Sequence, residues 1–181
     1  MNIGKLALLA IDNGVVRLLT RAVIFTYRMF DRALCRLRFF ALVPTASRTS
    51  WCHWSVQIKG PENLTVGKFV TIGHHTTLGA KAPISIGNYV RIGRDVLIET
   101  GGLEIDTKPP YQHRAKPIVI GDGAVIYAHA IVLGGVSIGE YSIVSAGCVV
   151  NKDVPPYTVV APARRVQVSR SPRIKKLLAG E

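Results

Sequence analysis

No apolar run in this sequence reaches the roughly 18 to 20 residues that a membrane span requires. Asp12, Arg17, Arg21, Arg28, Asp31 and Arg32 cut every candidate short. A secretory leader is not expected either, because Lys5 is followed only by the short run Leu6 to Ile11 before Asp12. Cysteine is scarce. Cys35, Cys52 and Cys148 are an odd, scattered set with neither a disulfide framework nor a zinc spacing. Reduced thiols in a cytoplasmic protein are the expectation. Aromatics are few and glycines many, which disfavours an ordinary helical bundle. Acidic residues are also few, 11 against 23 Lys plus Arg, which leaves a net charge of +12.

That excess sits at the two ends. Residues 1–40 carry Lys5 and six arginines against Asp12 and Asp31. The tail carries Arg164, Arg165, Arg170, Arg173, Lys175 and Lys176 against Glu181. Basic ends on a nearly neutral body suit an anionic surface or a phosphorylated ligand better than a nucleic acid. The basic residues also lack the interleaved aromatics of a single-strand platform. With 181 residues, the chain has room for one domain and an appendage.

What is present falls into segments. Residues 1–45 form an amphipathic helical segment, with one or two helices over 3–42. Arg17, Arg21, Arg28, Arg32 and Arg36 fall on one side of it, and Leu18, Leu19, Val23, Met29, Phe30 and Leu34 occupy the rest. Such a helix packs its apolar side on its own domain or a sister subunit, or lies on an anionic membrane leaflet.

From about residue 56 to 168 an aliphatic residue returns every sixth position. Val66, Ile72 and Leu78 form one series, and Ile86, Ile92 and Ile98 a second. The third is Ile120, Ile126, an aliphatic near 132, Ile138, Val144 and Val150. A small or β-branched residue follows each four positions later. A period of six fits neither a flat strand nor a helix. It fits short straight segments joined by tight corners, stacked so that aliphatics lie over aliphatics. Glycine often follows the aliphatic directly, and the reading assigns it to corner backbone angles. Two extra residues near 82–85 shift the phase once. An excursion over 99–117 breaks it outright, and residues 169–181 form a basic tail.

These residues resemble the hexapeptide-repeat acyltransferases. The closing segment "IVSAGCVVNKDVPPYTVVAPAR" (143–164) is similar to that family's terminal signature. Within the family the chain looks most like the sugar and exopolysaccharide O-acetyltransferases. The resemblance implies a mainly β fold, a left-handed parallel β-helix, assembled as a homotrimer. It implies acetyl-CoA as donor, a carbohydrate hydroxyl as acceptor, and no metal. A histidine in the excursion would take the acceptor's proton at a subunit cleft. His113 is the first candidate, with Glu104 or Asp106 to orient it, and His129 is the second. Tyr127, Ala128, Ser145, Ala146 and Gly147 would line the pantetheine arm. Lys152, Arg164 and Arg165 would meet the nucleotide phosphates.

The chain departs from that pattern twice. Sugar acetyltransferases carry their histidine early in the excursion, and here that place reads Glu99, Thr100, Gly101, Gly102. The usual Gly-Asn before the terminal Pro-Ala is missing, so Ala161 runs straight into Pro162. Both departures favour a second reading, a non-catalytic scaffold or regulatory partner in a polysaccharide pathway. A zinc anhydrase built on this β-helix is disfavoured because His74 and His75 are adjacent, which is the wrong ligand spacing. His53, between Trp51 and Trp54, reads as a packing or interfacial residue rather than a catalytic one.

Overall fold

The structure, a computed structural model, describes residues 14–104, 110–162 and 164–166. One helix, α1, runs over Gly14–Leu42, and a parallel solenoid follows. The solenoid has three faces. One holds Trp51–Cys52, Thr71–Ile72, Arg91–Ile92, Val125–Ile126, Ile143–Val144 and Val159–Ala161 in that order. The second holds Gln57–Lys59, Thr77–Gly79, Leu97–Glu99, Ile131–Leu133 and Val149–Val150. The third holds Leu64–Val66, Ile84–Ile86, Ile118–Ile120 and Ser137–Ile138. The first paired strand is Trp51–Cys52, so the coils begin ahead of residue 56.

The hexad aliphatics form the core. Ile72, Leu78, Ile98, Val132 and Val144 are completely buried, each over its equivalent in the neighbouring coil. Val132, not Leu133, takes the inward place in the third series. Coil length varies. Partners stand 20 positions apart from Trp51 to Thr71 and again from Thr71 to Arg91. They stand 34 apart from Arg91 to Val125, and 18 apart from Val125 to Ile143. Three hexads make 18, so the first two coils each carry two extra residues, where the sequence reading placed one shift. All the insertions, and the excursion, leave the same corner, between the second and third faces.

The corners correct the reading of glycine. The left-handed backbone falls mostly on larger residues: Phe69, His75, Tyr89, Asp95, His129, Tyr141 and Tyr157, with φ between 53° and 60°. Glycines directly after the aliphatics lack that φ, and close approach explains them instead. A Cβ on Gly73 would lie 2.7 Å from the Gly93 carbonyl of the next coil. Along one corner the left-handed rings stack, Phe69 on Tyr89 at 5.0 Å and Tyr141 on Tyr157 at 5.6 Å between centroids.

The two ends of the solenoid differ. The last turn of α1 buries Phe39, and Val43 just after it, in the same core as Cys52 and Val56, and Cys35 one turn earlier is buried too. Arg38 donates to the carbonyls of Trp54 and Val56. At the other end Arg164–Val166 runs antiparallel to Val159–Ala161, the reverse of every other strand on that face.

Candidate active site

The excursion is a β-hairpin. Thr100 roots it: this buried residue donates its hydroxyl to the Gly79 carbonyl at 2.7 Å and accepts from the Ala82 N–H at 3.0 Å. The Lys116 N–H then donates to the Thr100 carbonyl at 3.0 Å and closes the loop. Between these points Gly101–Glu104 pairs antiparallel with Gln112–Ala115. The register sets His113 opposite Leu103. His113 comes late in the excursion, yet the fold-back returns it to the outgoing strand, beside the early stretch where the resemblance leads one to expect a histidine.

The same register separates His113 from Glu104. Opposed residues share a face and successive residues alternate. His113 and Leu103 take one face, and Glu104 and Arg114 the other. The Glu104 carboxylate accepts from Arg114 Nη1 at 3.0 Å, so its geometry suits holding the hairpin together, not orienting His113. Asp106 lies outside the described residues. Beneath the hairpin is an open cleft of about 310 Å³, lined by residues including Thr100, Leu103, Arg114, Lys116 and Leu133.

A second constellation stands one corner away, between the first and second faces. Three successive coils place His75, Asp95 and His129 in one column, each with left-handed backbone. Asp95 Oδ1 is 3.6 Å from His75 Nδ1, and its Oδ2 is 3.9 Å from His129 Nε2. Arg94 Nε is 3.8 Å from the same carboxylate. Both histidines are exposed, so these contacts add little stability. The sequence reading singled out His129 and overlooked Asp95. The signal was there, in the spacings of 20 and 34 residues that equal the local coil lengths, but it needs those lengths to be known.

Further down this corner His53 stacks on His74 at 3.5 Å between ring centroids. Burial, and then the charge of His74, hold the His53 imidazole below its ordinary value. The same corner carries the expected pantetheine residues. The Tyr127 N–H donates to the Val144 carbonyl, and the Gly147 N–H to the Ala128 carbonyl, so residues 127–128 lie directly beneath 145–147. Lys152 follows Val149–Val150 and stands at the hairpin's corner instead. Arg164 and Arg165 belong to the antiparallel terminal strand. All three cysteines are free and buried, and burial pushes the Cys52 thiol up to about 12. Among the described residues no group of three or more His, Cys, Asp or Glu is placed to hold a metal ion.

Comparison with known proteins gives this geometry a context. Residues 117–152 match the family described as bacterial transferase hexapeptide (six repeats). The chain is 27% identical to the galactoside O-acetyltransferase of Escherichia coli over 119 residues, covering 65% of this chain and 59% of that one. It is 32% identical to the galactoside O-acetyltransferase of Lactococcus lactis, covering 53% and 47%. The chain thus spans about half the length of these curated relatives. Among solved structures, a hexapeptide-repeat acetyltransferase from Vibrio cholerae superposes with a TM-score of 0.70 at 28% identity, covering 77% of this chain and 82% of that one. The same Vibrio protein has been solved with acetyl coenzyme A, and a galactoside acetyltransferase with coenzyme A. The matched repeats, and the coils they build, identify the solenoid of this chain as the left-handed β-helix of the hexapeptide-repeat acetyltransferases.

Proposed function

We propose that this protein transfers an acetyl group from acetyl-CoA to a carbohydrate hydroxyl, and that each site is shared by two chains of a homotrimer. One observation carries the shared site. Within one chain the His113 hairpin and the expected pantetheine corner, 127–128 with 145–147, stand on different edges of the solenoid, with the second face between them. A single chain does not unite base and donor; a neighbouring chain's hairpin, laid over that corner, does.

The chemistry is short. The His113 imidazole takes the proton of the acceptor hydroxyl as its oxygen bonds to the acetyl carbon. The carbon–sulfur bond breaks, and the departing thiolate recovers the proton from the imidazolium. Backbone N–H groups of the coil corners stabilise the charge on the carbonyl oxygen. His129, with Asp95 beside it, is the second candidate for the base, favoured by its place on the pantetheine corner. The similarity to galactoside O-acetyltransferases supports a sugar as acceptor. The basic helix supports contact with an anionic membrane leaflet, although no helix among the described residues is long and apolar enough to cross one.

The test is subunit complementation. His113→Ala is expected to lower transfer about 10²- to 10⁴-fold while acetyl-CoA still raises the melting temperature. Ala146→Trp, at an exposed corner position, is expected to abolish that thermal shift. Trimers reassembled from the two inactive variants regain activity if the site is shared. No recovery would exclude the shared site. A fully active His113→Ala transfers the role of base to His129. No donor-induced shift in the folded wild-type trimer would favour the scaffold reading.

A further inference from the structure

Helix α1 has two unlike sides. At about 100° per residue, Arg17, Arg21, Arg28 and Arg32 fall on the same side as Cys35 and Phe39, which pack on the first coil, and Arg36 lies at its margin. The broad apolar arc faces the opposite way. Leu19, Val23 and Phe30 are 60%, 66% and 65% exposed. The arginine stripe therefore runs down toward the solenoid, while the apolar arc points away from it. At the foot of the stripe Arg32 and Arg36, one turn apart, join half-buried Trp51 in lining a cleft of about 230 Å³. Neither guanidinium has an acidic partner among the described residues. Asp31, the only acid of α1, lies close enough to Cys35 and His53 for its charge to bear on both.

We infer that the Arg32–Arg36–Trp51 cleft is a phosphate seat, which takes the headgroup phosphate of an anionic lipid while the outward apolar arc of α1 lies in the same leaflet. This rests on the membrane contact proposed above and gives it an address. Guanidinium forks match phosphate oxygens and are weakly hydrated. Indole suits the level of the headgroups, with one side apolar and the other wet. A leaflet covers both sides of the helix at once, acyl chains against the apolar arc and phosphates against the arginines. A second protein helix on the apolar arc would leave Arg32 and Arg36 side by side with no counter-charge. Because Trp51 begins the first coil, the solenoid stands on the surface by its helix-bearing end.

The full chain should co-sediment with phosphatidylglycerol-containing vesicles, and not with phosphatidylcholine alone, at about 0.1 M salt. Arg32→Ala/Arg36→Ala should lower partitioning roughly tenfold or more. Arg21→Ala/Arg28→Ala removes the same charge away from Trp51 and should cost clearly less. Equal losses in the two pairs overturn the seat and leave the membrane contact standing. No binding by the wild type overturns both. Displacement by millimolar inorganic phosphate overturns the lipid as the source of the phosphate. Self-association of α1, revealed when Leu19→Ser/Phe30→Ser lowers the mass in light scattering without changing vesicle binding, also overturns it. None of these variants touches the coil corners, so the acetyl-CoA thermal shift reports independently on the transfer site.

Discussion

At the scale of the residue, glycine here serves spacing between coils more than backbone angle. Gly73→Ala would drive a Cβ against the Gly93 carbonyl of the next coil, and should cost about 1 to 3 kcal/mol in urea unfolding. Asp95→Gly is expected to fall within about 0.5 kcal/mol of wild type. It relieves a left-handed backbone at φ 54°, and the added freedom of the unfolded chain offsets that gain. Were the glycines there for their angles, the ranking would reverse. Thr100→Val keeps the shape but strands the Ala82 N–H, while the Gly79 carbonyl keeps only the bond from the Thr100 N–H. A loss of about 1 to 3 kcal/mol is expected, with faster amide exchange at the root of the hairpin. The sequence could announce glycine but not its reason, because the clash is with a residue one coil away.

At the scale of the element, the hairpin and the helix were legible to different depths. The break in the hexad rhythm marked the excursion. Nothing in the spacing revealed an antiparallel register, which alone pairs His113 with Leu103 and sends Glu104 to the other face. For α1 the periodicity named both arcs but not their direction, since the few residues that dock, Cys35 and Phe39, decide which side faces the coil. The helix foot sits close to His53, whose imidazole is held below its ordinary 6.5 by burial and by the charge of His74. Just below 6.5 the unfolded chain therefore binds the proton more readily than the folded one. The contribution to stability is complete above 6.5 and is lost as pH falls through the folded value. His53→Gln should flatten the drop in melting temperature between about pH 7.5 and about pH 5.5. An unchanged slope would assign that drop to other groups.

At the scale of the molecule, the hexads disclosed the solenoid and its core almost completely. They did not disclose coil length, because two-residue insertions look like noise until the register is known. Coil length decides which distant residues share a corner, and so it hid the Asp95 column while the core was plain. The same arithmetic supports a deletion. Excising residues 101–116 joins Thr100 to Pro117 and restores the 18-residue coil seen from Val125 to Ile143. The shortened chain is expected to unfold cooperatively and to have no transferase activity. Loss of the fold on excision would show that the hairpin also supports the stack.

A stack of identical rungs has no intrinsic reason to stop, and an open rung offers the unpaired edge from which fibres grow. Here the two ends are closed by unlike devices. The foot of α1 covers Trp51–Cys52, and the reversed strand Arg164–Val166 presents a direction that no parallel coil can continue. A chain cut just before Trp51 would keep every hexad and lose one closure. Its fate should be end-to-end growth into filaments rather than unfolding, so the helix proposed to reach for lipid would also keep the molecule finite.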